Sequence, residues 1–111
     1  MLEFLPRGGR LSVAVGGQEH ALWLPERRFA LVVSLLDPPR HAGGEVVPDE
    51  IVLARVWPRQ PHKSRVDLNV LVARLRRDLE EASLSTQCVV RAPGGGGTRF
   101  PLAPGAEVVV R

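Results

Sequence analysis

A single cysteine among 111 residues leaves Cys88 without an internal disulfide partner, as expected of a chain kept in a reducing cytosol. Beside Val89 and Val90 it reads as a small buried hydrophobe rather than a nucleophile. Lysine is equally scarce: Lys63 stands alone and the other basic residues are arginine. With abundant Ala, Gly, Pro and Val, that bias suggests a GC-rich bacterial genome. No apolar run approaches the ~18 residues of a membrane span. No charged-then-apolar leader opens the chain, so a cytoplasmic protein without membrane contact is expected. His20, His41 and His62 are isolated and lack the spacing of a metal site. Asp49–Glu50 and Glu80–Glu81 are adjacent on helical segments and point apart, so helix-end electrostatics explains them better than acid–base work. Ser34, Ser83 and Ser85 have no triad arranged around them. No catalytic residue, no metal and no cofactor is expected.

The remaining composition is that of an ordinary globular protein, 44% hydrophobic and 24% charged. At this length one domain over residues 1–111 is expected, with a core that needs no staples. The net charge is +3, but it is unevenly spread. Arg55, Arg59, Lys63, Arg65, Arg74, Arg76 and Arg77 face one acid, Asp67, between residues 55 and 77. The rest of the chain is net acidic. A clustered positive region on a near-neutral body suggests a polyanionic partner.

Alternating runs open the chain: Leu2 and Phe4, then Leu11, Val13 and Val15, then Ala21 to Leu24. Strands are expected over residues 2–24, with Gly16-Gly17 as a hairpin turn. PERRFALVVSLLD follows, with Phe29, Val32, Val33 and Leu36 on one stripe. Pro25 suits a first helical position, and Asp37-Pro38-Pro39 stops the helix, giving about 25–37. PDEIVLARVW reads as a second helix over about 48–57, with Ile51, Leu53, Ala54 and Trp57 on its buried side and Pro58 at its end. Trp23 and Trp57 are both expected in the core. Ser64 and Asp67 have capping-box spacing, so a third helix is expected over about 64–82. CVVRA and TRFPL flank PGGGG, which predicts a hairpin over about 87–102. AEVVVR suggests a final strand over 106–110. Nothing repeats internally. Strands, three helices, then a hairpin is the layout of an α+β winged helix-turn-helix.

Three stretches carry a family resemblance. GGQEHALWLPERRFALVVSLL, GEVVPDEIVLARVW and the run from Val70 to Leu79 ending in ARLRRDL resemble the C-terminal DNA-binding domains of OmpR/PhoB-type response regulators. Together they span about residues 10 to 102. The resemblance implies a helix lying in the major groove of double-stranded DNA and a β-wing at the adjacent minor groove. It places Arg74 and Arg76 at basic positions that the family uses on DNA, and Val70 where a Val often meets a thymine methyl. Leu71 stands where many members carry a polar His, and Thr98 where the wing usually has an aromatic. Phosphorylation control is expected to be absent or to act from another protein, such as a receiver-type regulator in trans.

The third helix poses its own question. Leu68, Val72, Leu75 and Leu79 form one buried stripe. On the opposite side Lys63, Val66, Asp67, Val70, Arg74 and Arg77 mix apolar and basic character. A major groove offers guanine acceptors to an Arg fork and thymine methyls to apolar side chains. Base contacts are therefore expected from Val66, Val70 and Arg74. Phosphate contacts are expected from Lys63, Arg65, Arg76, Arg77, Arg91 and Arg99, with a footprint of roughly 4–6 phosphates. Asp67 has three readings, a cap, a cytosine acceptor or a repulsive charge, of which the cap is favoured. Gly94, Gly95, Gly96 and Gly97 form the expected wing tip. They are not a phosphate loop, because no helix follows them.

The expected function is sequence-specific binding of double-stranded DNA, as a bacterial transcriptional regulator or its DNA-binding module, with a homodimer on DNA as one arrangement. The alternative is an adaptor of the same fold. There the Val66/Val70/Leu71 face docks onto a partner protein, since an apolar patch rimmed by arginine also describes a protein interface. RNA binding is a third and weaker reading.

Overall fold

Gly16 and Gly17 take φ +57 and +80, the pair of positive angles that a type I′ hairpin turn requires. They join β2 (Gly8–Val15) to β3 (Gln18–Pro25), and β1 (Leu2–Leu5) pairs with the other side of β2. These elements belong to a computed structural model that describes every residue except Gly95. Both pairings are antiparallel, with Leu2 opposite Leu11 and Gly9 between Phe4 and Leu24. Period two then turns Leu2, Leu11 and Leu24 to one face, where all three are buried. Trp23, opposite Arg10, lands on the other face and is 55% exposed, not in the core as expected. ALWL puts large apolar residues on both parities, and only the register with β2 decides which parity is buried.

α1 (Glu26–Leu36) follows β3 directly. Pro25 is the residue before the helix, at φ −60 and ψ 161, rather than its first member. Phe29, Val32, Val33 and Leu36 are buried as their stripe predicts, and so are Leu31, Ser34 and Leu35. The helix is enclosed because the sheet packs on one side and the other two helices on the other. Gly9 makes room for this packing: a Cβ there would lie 2.3 Å from the Phe29 ring. Ser34 tolerates burial because its hydroxyl donates to the Ala30 carbonyl at 2.7 Å.

α2 (Asp49–Val56) buries a different face from the one the sequence suggested. Asp49, Val52 and Val56 are buried, Ile51, Leu53 and Trp57 are half-buried, and Ala54 is exposed. The spacing i, i+3, i+7 places Asp49 on the same side as the two valines. α3 (Arg65–Glu81) buries Leu68, Leu71, Val72, Leu75 and Leu79. It is tied to α1 by Arg28, whose Nη1 donates to both Asp78 carboxylate oxygens at 2.8 and 2.6 Å. Every fully buried leucine of this core contributes about 1.5–3 kcal/mol relative to remaining in water.

A second sheet is small. β4 (Val90–Arg91) pairs antiparallel with β5 (Thr98–Arg99), which is much shorter than the hairpin expected over 87–102. A single 3-10 turn at Thr86–Cys88 occupies its approach. Val47, between α1 and α2, adds a third member: its N–H donates to the Thr98 carbonyl at 2.8 Å, and its carbonyl accepts from the Thr98 N–H at 3.0 Å. The expected strand over 106–110 reduces to an isolated parallel bridge between Val110 and Leu2. Around it the Leu2 N–H donates to Val109, the Arg111 N–H to Leu2 and the Phe4 N–H to Arg111, at 2.7 to 2.9 Å. The C-terminal residues thus cover the outer edge of β1, which would otherwise present unpaired backbone groups. Three helices and two small antiparallel sheets make an α+β fold in which the buried residues form one cluster. Among the described residues no helix is long and apolar enough to cross a membrane.

Candidate nucleic-acid interface

α3 begins where its chemistry says it should. Ser64 is extended, at φ −129 and ψ 179, and its N–H donates to the Asp67 carboxylate at 2.9 Å. That hydrogen bond holds the Asp67 carboxyl below its ordinary value, with the nearby charge of Lys63 acting in the same direction. Asp67 therefore serves as a cap, and its ion pair with Lys63 is a loose 3.9 Å.

From that start the helix presents two faces. One is the buried stripe. On the other, Val66 is 71% exposed and Val70 46%, and Arg74 and Arg77 are exposed with them. Val66, Val70 and Arg74 follow one another at intervals of four residues, along about 12 Å of helix. Leu71, expected outside the core with Val70, is instead buried. It stands three residues after Leu68 and four before Leu75, which widens the buried stripe on that flank.

The seven cations expected to contact DNA divide into two groups. Arg74, Arg77 and Arg99 are exposed and make no hydrogen bond or ion pair among the described residues. The others are engaged. Arg76 donates from Nε and Nη2 to the Val89 carbonyl, at 3.1 and 2.9 Å, tying α3 to the segment that enters β4. Lys63 lies 5.5 Å from the centre of the Trp57 ring, a cation–π distance. Arg65 Nε contacts Asp49 Oδ2 at 3.2 Å while its side chain remains 60% exposed. Arg91, expected as a cation available to phosphates, is turned inward. Its Nη1 donates to Asp49 Oδ1 at 2.6 Å and to Thr98 Oγ1 at 2.8 Å, and its side chain is 17% exposed.

Asp49 is the residue that sequence reasoning missed. Read as a helix-end charge, it is a carboxylate 8% exposed that receives two arginines from two other elements. A signal existed: Asp49 shares the i, i+3, i+7 face with Val52 and Val56, and a carboxylate on a buried face needs a cation. Nothing local names that cation, because Arg91 is far along the chain.

The four hairpin glycines are not equivalent. Gly97 takes φ +125, and a Cβ there would lie 2.4 Å from the Val47 carbonyl oxygen. It is buried against the bridge to Val47 rather than free at a tip. Gly94 has φ +69 with open space around it, and Gly96 has ordinary angles. Gly95 lies outside the described residues. Cys88 is half-buried against the core, and loss of hydration pushes its thiol up. A cavity of about 770 Å³ beside it is lined mainly by apolar residues such as Leu2, Leu11, Phe100 and Leu102, with none of the basic residues above. No group of three His, Cys, Asp or Glu side chains suited to a metal occurs among the described residues. Neither a known family model nor a curated protein matches the chain.

Proposed function

We propose that this protein is a winged helix-turn-helix module that binds double-stranded DNA without catalysis, as a bacterial transcription regulator or the DNA-binding part of one. The carrying observation is the exposed line Val66, Val70, Arg74, with Arg77 beside it, on a helix whose opposite side is buried. Exposed valines gain free energy when a partner removes them from water, and guanidiniums without a protein partner remain available to acceptors on that partner. A major groove satisfies both kinds of group at once: Arg74 meets guanine N7 and O6, and Val66 and Val70 meet thymine methyls. Arg77 and Arg99 hold backbone phosphates, and Arg65 joins them from the exposed side of its pair with Asp49. The element order supports the same reading. A helix, an isolated bridge residue at Val47, two more helices and a hairpin bridged back to Val47 fit the layout of a winged helix.

A mixed-sequence duplex pool, titrated with the protein at low salt and followed by fluorescence anisotropy, tests the proposal. Saturable binding that weakens with salt, with one sequence enriched among retained duplexes, is the expected result. Absence of binding at low salt would reject it. The competing reading is an adaptor that docks a partner protein on the same face, and the 71% exposure of Val66 is the observation in its favour. Val70→Glu should abolish capture of such a partner while Arg77→Ala leaves it intact. On DNA both changes weaken binding.

A further inference from the structure

Arg91 has the sequence character of a phosphate-binding cation and the geometry of a strut. It belongs to β4, its partner Thr98 to β5, and its partner Asp49 to the first turn of α2. One guanidinium therefore joins both strands of the hairpin to the helices, through bonds of 2.6 and 2.8 Å to groups that are themselves buried. The second Asp49 oxygen receives Arg91 Nη2 and Arg65 Nε, each at 3.2 Å, which brings in the start of α3. The feet of the hairpin are held by Arg76 on the Val89 carbonyl and by the burial of Val89 and Phe100. Its strands pair over two residues each, and a lone hairpin of that size has no stable geometry of its own. Above its feet the Val47–Thr98 bridge holds β5, and the Arg91–Asp49 pair ties β4 to α2.

We propose that Asp49 is a positioning residue for DNA binding. Through Arg91 it locks the β4–β5 hairpin against α2 and α3, so that Arg99 engages phosphates while α3 occupies the groove. The proposal rests on the DNA-binding reading above and adds a sign to it. Asp49 is a negative charge near a basic surface, so by charge alone its removal tightens DNA and removal of Arg91 loosens it. The lock reverses the first of these: both removals loosen DNA, although they change the net charge in opposite directions.

Affinity of the full chain for a mixed-sequence duplex at low salt decides between the two. The proteins are wild type, Asp49→Asn, Arg91→Gln, the double variant, and Arg99→Ala alone and with Asp49→Asn. Each single change at the lock is expected to weaken binding by ~10-fold, and the double variant by no more than either. Arg99→Ala is expected to weaken the wild type and to add nothing to Asp49→Asn, because the hairpin is already out of place. Asp49→Asn binding as tightly as wild type, or a full Arg99→Ala effect in its background, would overturn the lock. If a single variant fails to fold by circular dichroism, the double variant takes its place under the same criteria, since it leaves no buried charge unpaired. A wild-type chain that binds no duplex rejects the DNA reading instead. Hydrogen exchange at the Ala92 and Thr98 amides then tests the lock alone: faster exchange confined to the hairpin in Asp49→Asn supports it, and unchanged exchange refutes it.

Discussion

Gly97 and Gly96 are chemically identical neighbours that the fold treats differently. Gly97 combines φ +125 with a carbonyl 2.4 Å from where its Cβ would sit, whereas a Cβ on Gly96 meets nothing closer than 3.5 Å. Gly97→Ala should therefore lose on the order of 1–3 kcal/mol in urea unfolding, while Gly96→Ala stays close to wild type. Equal effects would mean that the Val47 bridge does not constrain the hairpin. Arg74 and Arg77 form a second contrasting pair on α3. Arg74→Ala should relax the preference at one or two bases in a selection-and-sequencing experiment, whereas Arg77→Ala should lower affinity for all duplexes alike. The basic residues were legible in the sequence as a set. Which of them are free was not, because Arg65, Arg76 and Arg91 find their partners only across elements.

At the level of elements, local chemistry predicted the helices well. The third was expected at about 64–82 and spans Arg65–Glu81, with the Ser64–Asp67 cap in place. Because the Ser64 N–H favours the ionised Asp67 carboxylate, the cap's contribution is present above the ordinary carboxylate range and is lost as pH falls through the lowered value. Asp67→Asn should accordingly flatten the fall in melting temperature on acidification, without altering the buried stripe. An unchanged acid profile would show that the cap adds nothing. Strand patterns were less informative. Trp23 and Leu24 both look like core residues, yet only Leu24 is in phase with Leu2 and Leu11. α2 misled for a similar reason: eight residues hold two plausible apolar faces, and contact with α1 selected Val52 and Val56.

Across the whole molecule, the separation of free from engaged cations changes the expected response to salt. The footprint expected from sequence drew on Lys63, Arg65, Arg76, Arg77, Arg91 and Arg99. With Arg76 and Arg91 turned inward and Arg65 shared with Asp49, the plot of log affinity against log salt should correspond to roughly 3–4 phosphates. A slope equivalent to about 6 would mean that the engaged arginines leave their protein partners on DNA. The same topology that consumes these charges also closes the molecule, since residues 109–111 cover the edge of β1 and the Val47 bridge covers the edge of β5.

By itself the sequence determined what is encoded over a few residues. Helical period, capping box and glycine turn all rest on neighbours within about one helical turn. It also determined that one face of α3 would be both apolar and basic, because a helix carries its faces without reference to the rest of the chain. Tertiary structure decided what depends on partners distant in sequence. It set the strand register that exposes Trp23, the face of α2 that buries Asp49, and the pairing that converts Arg91 from a surface cation into a strut. The physical reason is the same in each case. Periodicity states which residues share a side, and desolvation, which only packing imposes, states which side must be satisfied from within.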